Sequence, residues 1–134
     1  MKSGGRRAPM PAENAPLVLR AGQIVLADWR GDAMPKAPNK RRPAVVVEDD
    51  RLFAPVYPNV ILVPLTEDAA LAIPDLSIAI VPTAENGCTK PCWAVSHLVA
   101  TTSKERLRPT PSRVTVDQLA AIRRQIALAV GIEG

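Results

Sequence analysis

The sequence predicts a mainly β fold, a small twisted barrel closed by one C-terminal helix. Three observations carry this. Five short β-branched runs are punctuated by prolines and glycines, one amphipathic stretch lies near the C-terminus, and no strand is followed by a glycine-rich phosphate loop. At 134 residues the chain fits one domain with one core. Residues 1–18 read as a flexible N-terminal arm and residues 19–134 as a single folded domain.

The arm holds Gly, Pro, Ala and Arg without apolar periodicity up to about Pro16. Arg6 and Arg7 precede no apolar run, and the segment from Leu17 is interrupted by Arg20 and Asp28, so neither a signal peptide nor a membrane span is expected and the cytoplasm is the expected location. Strand one is Gly22–Trp29, with Ile24, Leu26 and Asp28 on one face and Val25, Ala27 and Trp29 on the other. Arg30–Arg41, with Gly31, Pro35, Pro38, Lys36, Lys40 and Arg41, spells a mobile basic loop. Strand two begins abruptly at Arg42-Pro43-Ala44-Val45-Val46-Val47.

Three further strands are read at Asn59–Thr66, Leu76–Val81 and Cys92–Val99, edged by Pro58, Pro74, Pro82 and Pro91. Pro64 lacks an amide hydrogen, so it must sit at an edge, a bulge or the end of a ladder. Arg106-Leu107-Arg108 reads as a last short strand. Thr115-Val116-Asp117-Gln118 has the spacing of a capping box, Leu119, Ile122, Ile126 and Val130 follow Val116 at helical intervals, and Gly131 supplies the stop. Arg123 and Arg124 fall beside that stripe, on what reads as a solvated face.

Hydrophobic residues make up 47% of the chain but aromatic ones only 3%, so the core must be built from Val, Ile, Leu and Ala. A formal charge of +4 and a pI near 9.5 favour polyanionic partners. Cys88 and Cys92, in a chain without an export signal, are expected as thiols. With His97 they make three possible zinc ligands where a structural site needs four, so no metal ion is expected.

Ala27-Asp28-Trp29 ends the first strand, Lys40-Arg41-Arg42-Pro43-Ala44-Val45-Val46-Val47 opens the second, Val63-Pro64-Leu65-Thr66 ends the third, and Gly87 to Leu107 leads toward the helix. In this order and separation, from about Gly22 to Ile132, the chain resembles the PemK/MazF family of toxins of type II toxin-antitoxin systems. The resemblance implies an SH3-like small barrel with a C-terminal helix, usually a homodimer. It further implies a cofactor-free, sequence-specific endoribonuclease that cleaves single-stranded RNA through 2'-hydroxyl attack, leaving 2',3'-cyclic phosphate and 5'-hydroxyl ends. A cognate antitoxin protein would neutralise it.

By the same resemblance Arg42 is the catalytic arginine and Thr66 its partner. A guanidinium stays charged and offers parallel N–H donors to phosphoryl oxygens, whereas a threonine hydroxyl can bond the phosphate but is too weak a base to act alone. Trp29, which precedes the basic loop, is the candidate stacking platform for a base, and Lys36, Lys40 and Arg41 are the candidate phosphate contacts. Trp93 reads as core, while Phe53 and Tyr57 lie in the Asp49–Pro58 connection. The family often carries an acidic residue in the basic loop, which is absent from Met34–Pro38, and many members have a serine where Cys92 stands. His97 is the sole histidine, but the family does not depend on one there. Two other readings share the fold: a non-catalytic nucleic-acid-binding barrel, and a gyrase-directed toxin acting through the C-terminal helix.

Overall fold

The computed structural model describes residues 17–28 and 41–133. Among the described residues, seven antiparallel strands and one long helix follow in order: β1 (Gln23–Asp28), β2 (Arg41–Val46), β3 (Asn59–Thr66), β4 (Ser77–Ile80), β5 (Cys92–Val95), β6 (Ala100–Ser103), β7 (Leu107–Arg113) and α1 (Val116–Ala129). The hydrogen-bonded path runs β4-β5-β3-β2-β1-β7, with β6 also on β3. Among the described residues this path does not close on itself, and the fold is mainly β with a C-terminal helix, of the barrel-like kind the sequence predicts.

The centre of the sheet is buried on both faces, which is why its strands read as continuous apolar runs. Val25, Ala27, Ala44, Val46, Val60 and Leu62 point to one cluster, joined by Leu19 and Leu107. Their neighbours of opposite parity, Ile24, Val45, Val47, Val63 and Leu65, point to the other, which Ile122 of α1 completes with Leu119 and Ile126 packed against it. The arm lies outside the described residues up to Pro16; Leu17 packs against the first cluster.

Pro64 occupies a gap between ladders. β6 pairs with β3 at Asn59–Leu62 and β5 at Leu65–Thr66, so on that edge the partner changes across Val63 and Pro64 and the missing N–H costs no bond. The run read as one strand over Cys92–Val99 is thereby corrected. From Ala94 to Ala100 the chain takes six steps where Leu65 to Leu62 opposite takes three, and the excess leaves the ladder as a 3-10 turn, Ser96–Leu98. The last strand is also longer than the sequence suggested, continuing through Pro109 and Pro111, which are tolerable because β7 ends the path.

The helix starts on the expected capping box: Gln118 N–H donates to Thr115 Oγ1 (3.0 Å) and Thr115 N–H to Gln118 Oε1 (2.9 Å). It ends before Gly131 at φ +89°. Arg123 is not merely solvated. Its Nε donates to the Val47 carbonyl (2.9 Å) and its Nη2 to that of Glu48 (2.9 Å), fastening the helix to the end of β2. Gln125 accepts from Ser96 Oγ (2.7 Å) and donates to the Ser77 carbonyl (3.1 Å), fastening it to the 3-10 turn and β4.

Candidate functional site

The β2–β3 register explains why two residues 24 positions apart in sequence meet. Its last pair is Ala44 with Pro64, and two steps further along each strand stand Arg42 and Thr66, at the same rank. Both line a groove of about 310 Å³. β1 contributes Ile24 and Leu26, β3 contributes Leu65 and the following Glu67, the far wall is the Asn86–Lys90 loop with Cys92 of β5, and Thr110 and Ser112 come from β7.

Arg42 is half-buried, and its Nε is sealed from solvent without a hydrogen-bond partner among the described residues. Buried N–H groups nearly always have a partner, and among the described residues this donor has none. Thr66 is buried, and its Oγ1 accepts the N–H of Asp68 at 3.0 Å. With one lone pair so engaged, the hydroxyl retains its proton for donation. Among the described groove residues, Arg42 and Lys90 are the cations and Glu67 the carboxylate.

The far wall is built around Asn86. Its Oδ1 accepts from the N–H groups of Thr83 and Cys88 (2.9 Å each), its Nδ2 donates to the Val81 carbonyl (2.8 Å), and its own N–H donates to Thr83 Oγ1 (3.0 Å). Arg113 N–H donates to the Glu85 carbonyl (2.9 Å), tying this loop to β7. Gly87 sits at φ +65°, and a Cβ there would meet Ser112 Oγ at 2.5 Å, so the close approach of loop and strand requires glycine. Cys88 Sγ lies 4.0 Å from Cys92 Sγ. Burial, with Cys88 beside it, pushes the Cys92 thiol up to about 12, so it is neutral at ordinary pH.

Of the other residues singled out in the sequence, Arg41 is exposed on β2 opposite Asp28 of β1, while Trp29, Lys36, Lys40 and the rest of the basic loop before Arg41 lie outside the described residues. Trp93 is half-buried and pairs with Thr66 across β5 and β3. Phe53 and Tyr57 stack tilted, centroids 5.7 Å apart, away from the groove lining. His97 sits in the 3-10 turn, its Nδ1 buried without a partner among the described residues, and does not line the groove. Among the described residues no three His, Cys, Asp or Glu side chains form a group that could hold a metal ion, and no helix is long and apolar enough to cross a membrane. Sequence reasoning missed Glu67, Asn86, Lys90, Thr110 and Ser112 as groove residues. Only Glu67, next to Thr66, carried a signal that could have found it.

A family model described as PemK-like, MazF-like toxin of type II toxin-antitoxin system matches residues 20–130. Comparison with curated proteins returns no match. Among solved structures the chain is similar to MazF from Deinococcus radiodurans (TM-score 0.67, 19% identity, covering 87% of this chain and 99% of that one). It is similar also to an endoribonuclease in complex with its cognate antitoxin from Mycobacterial species (TM-score 0.60, 21% identity, 87% and 99%) and to a MazE-MazF complex from Deinococcus radiodurans (TM-score 0.64, 19% identity, 87% and 99%). At these identities the likeness is one of fold.

Proposed function

The chain belongs to the PemK-like, MazF-like toxin family of type II toxin-antitoxin systems, and from that premise we propose that it is a sequence-specific endoribonuclease whose reaction is carried by Arg42 and Thr66. The observation that supports this most is the meeting of the two in one groove, with a buried guanidinium N–H that has no acceptor among the described residues.

In this reading the ribose 2'-hydroxyl attacks the adjacent phosphorus and the 5'-oxygen leaves, taking up a proton from water, giving a 2',3'-cyclic phosphate and a 5'-hydroxyl end. Arg42 donates to the non-bridging oxygens as charge gathers on them, and the Thr66 hydroxyl donates to the same phosphoryl group. Neither is a base. Glu67, the carboxylate among the described groove residues, accepts the 2'-hydroxyl proton. Lys90 and Arg41 hold flanking phosphates, with Lys36 and Lys40 of the basic loop and Trp29 as a stacking platform. No metal ion or other cofactor enters these steps. The protein acts as a homodimer, and a cognate antitoxin neutralises it by laying a segment across the Arg42 groove.

The test is incubation of the purified protein with a long unstructured RNA in excess EDTA, beside an Arg42→Ala variant, with fragment ends mapped. Discrete fragments with 5'-hydroxyl ends, lost in the variant, are expected. Intact RNA under all conditions would sink the nuclease and leave the nucleic-acid-binding barrel or the gyrase-directed toxin, which RNA binding and gyrase inhibition would separate.

A further inference from the structure

We propose that Cys88 and Cys92 form a reversible dithiol switch in the groove wall, closing to an intramolecular disulfide under oxidants of the peroxide class and lowering RNA cleavage while closed. The effect on cleavage rests on the nuclease reading above, whereas formation of the disulfide does not.

The two sulfurs are in contact but not bonded. The sulfurs stand 4.0 Å apart, and a disulfide needs about 2 Å, so closure asks for a shift of roughly 2 Å. Cys92 cannot supply it. It lies buried in β5, paired with Ile80 of β4, and its strand neighbour Ala94 pairs with Leu65. Cys88 can, because Thr89, Lys90 and Pro91 connect it to β5 with no strand or helix between. The movement falls on the Cys88 side chain and on the loop that carries Thr89 and Lys90 into the groove facing Arg42 and Thr66.

Cys88, the more exposed of the two, reacts first. Its sulfur takes one oxygen from the peroxide to give a sulfenic acid, and the peroxide's other half leaves as water or an alcohol. The Cys92 sulfur then displaces that hydroxyl, which departs as water with the Cys92 proton. Two thiol hydrogens and two electrons pass to the peroxide, and an external dithiol reverses the change. The adjacency of Cys92 directs the oxidised Cys88 inward, toward its neighbour, rather than to a mixed disulfide.

The test treats the full chain with stoichiometric hydrogen peroxide, alkylates the remaining thiols and digests with trypsin without reduction. Lys90 precedes Pro91 and resists cleavage, so both cysteines fall on the peptide from Leu52 to Lys104. The expected product is that peptide unalkylated and lighter by two hydrogens, returning to the doubly alkylated form after dithiothreitol. Double alkylation after peroxide, sulfinic acid on one cysteine, or cross-linked chains alone would overturn the disulfide.

In parallel, RNA cleavage by the oxidised protein is expected to fall about tenfold or more and recover on reduction, since misplacement by about 1 Å near a reacting centre can cost 10²-fold. The ratio of oxidised to reduced rates should return to unity in Cys88→Ser. A disulfide without a change in cleavage, or an equal loss in Cys88→Ser, would overturn the switch. Reduced protein that cleaves nothing would overturn the nuclease reading and with it the cleavage half, while the peptide mass alone decides the bond.

Discussion

Replacing Gly87 by alanine tests whether the groove wall depends on the fit of the Asn86 loop against β7. Two costs are present. The residue sits at φ +65°, where an L side chain costs roughly 1–2 kcal/mol. The new Cβ also meets Ser112 Oγ at 2.5 Å, so the serine must leave its rotamer or the loop must back away, adding about 0.5–1.5 kcal/mol. The stiffer unfolded chain returns about 0.4–1 kcal/mol, leaving a net loss near 2 kcal/mol. Urea unfolding reads this as a midpoint lower by about 1 M for a typical slope. Ser112→Ala removes the Oγ but keeps a Cβ at the ordinary distance of 3.5 Å, so in that background Gly87→Ala should cost about 1 kcal/mol less. An equal cost in both backgrounds would refute the argument, because the close approach of Gly87 to Ser112 would then be energetically idle.

Arg42→Met keeps the aliphatic stem and removes a buried donor that lacks a described partner; stability should hold or rise by about 1 kcal/mol in urea while RNA cleavage falls about 10²–10³-fold. A loss of stability would mean the guanidinium is already satisfied. Ile122→Ala empties the most buried position of α1 and should cost about 2–5 kcal/mol by thermal or urea unfolding. The Cys92 thiol binds its proton more tightly folded than unfolded, so the stability it contributes is complete below its ordinary value of 9.0 and is lost as pH rises toward about 12. The urea midpoint should drop as pH rises above about 9, and Cys92→Ala should show a shallower decline there.

The sequence was legible where local chemistry and tertiary demand coincide. β1 to β4 follow from β-branched runs, and α1 from the Thr115–Gln118 cap and the spacing of Leu119, Ile122 and Ile126. The Arg42–Thr66 meeting was legible through the family resemblance, and the reason for it is that the two end adjacent antiparallel runs. What escaped was set by partners distant in sequence. The insertion at Ser96–Leu98 depends on the register against β3, the extension of β7 through two prolines depends on its place at the sheet's end, and the Arg123 anchor depends on carbonyls 75 and 76 positions earlier. The far wall of the groove hangs on Asn86, an ordinary turn residue until its bonds to Val81, Thr83 and Cys88 are traced.

The pairing of β1 with β7 has a consequence in time. Leu26 lies opposite Arg108, so the first strand waits 82 residues for its partner. At about 5–20 residues per second, a ribosome needs roughly 4–16 s to make that stretch. Until then the groove has Ile24 and Leu26 on one side but neither Thr110 nor Ser112 to complete it. A nascent chain therefore has no finished groove until β7 has been made.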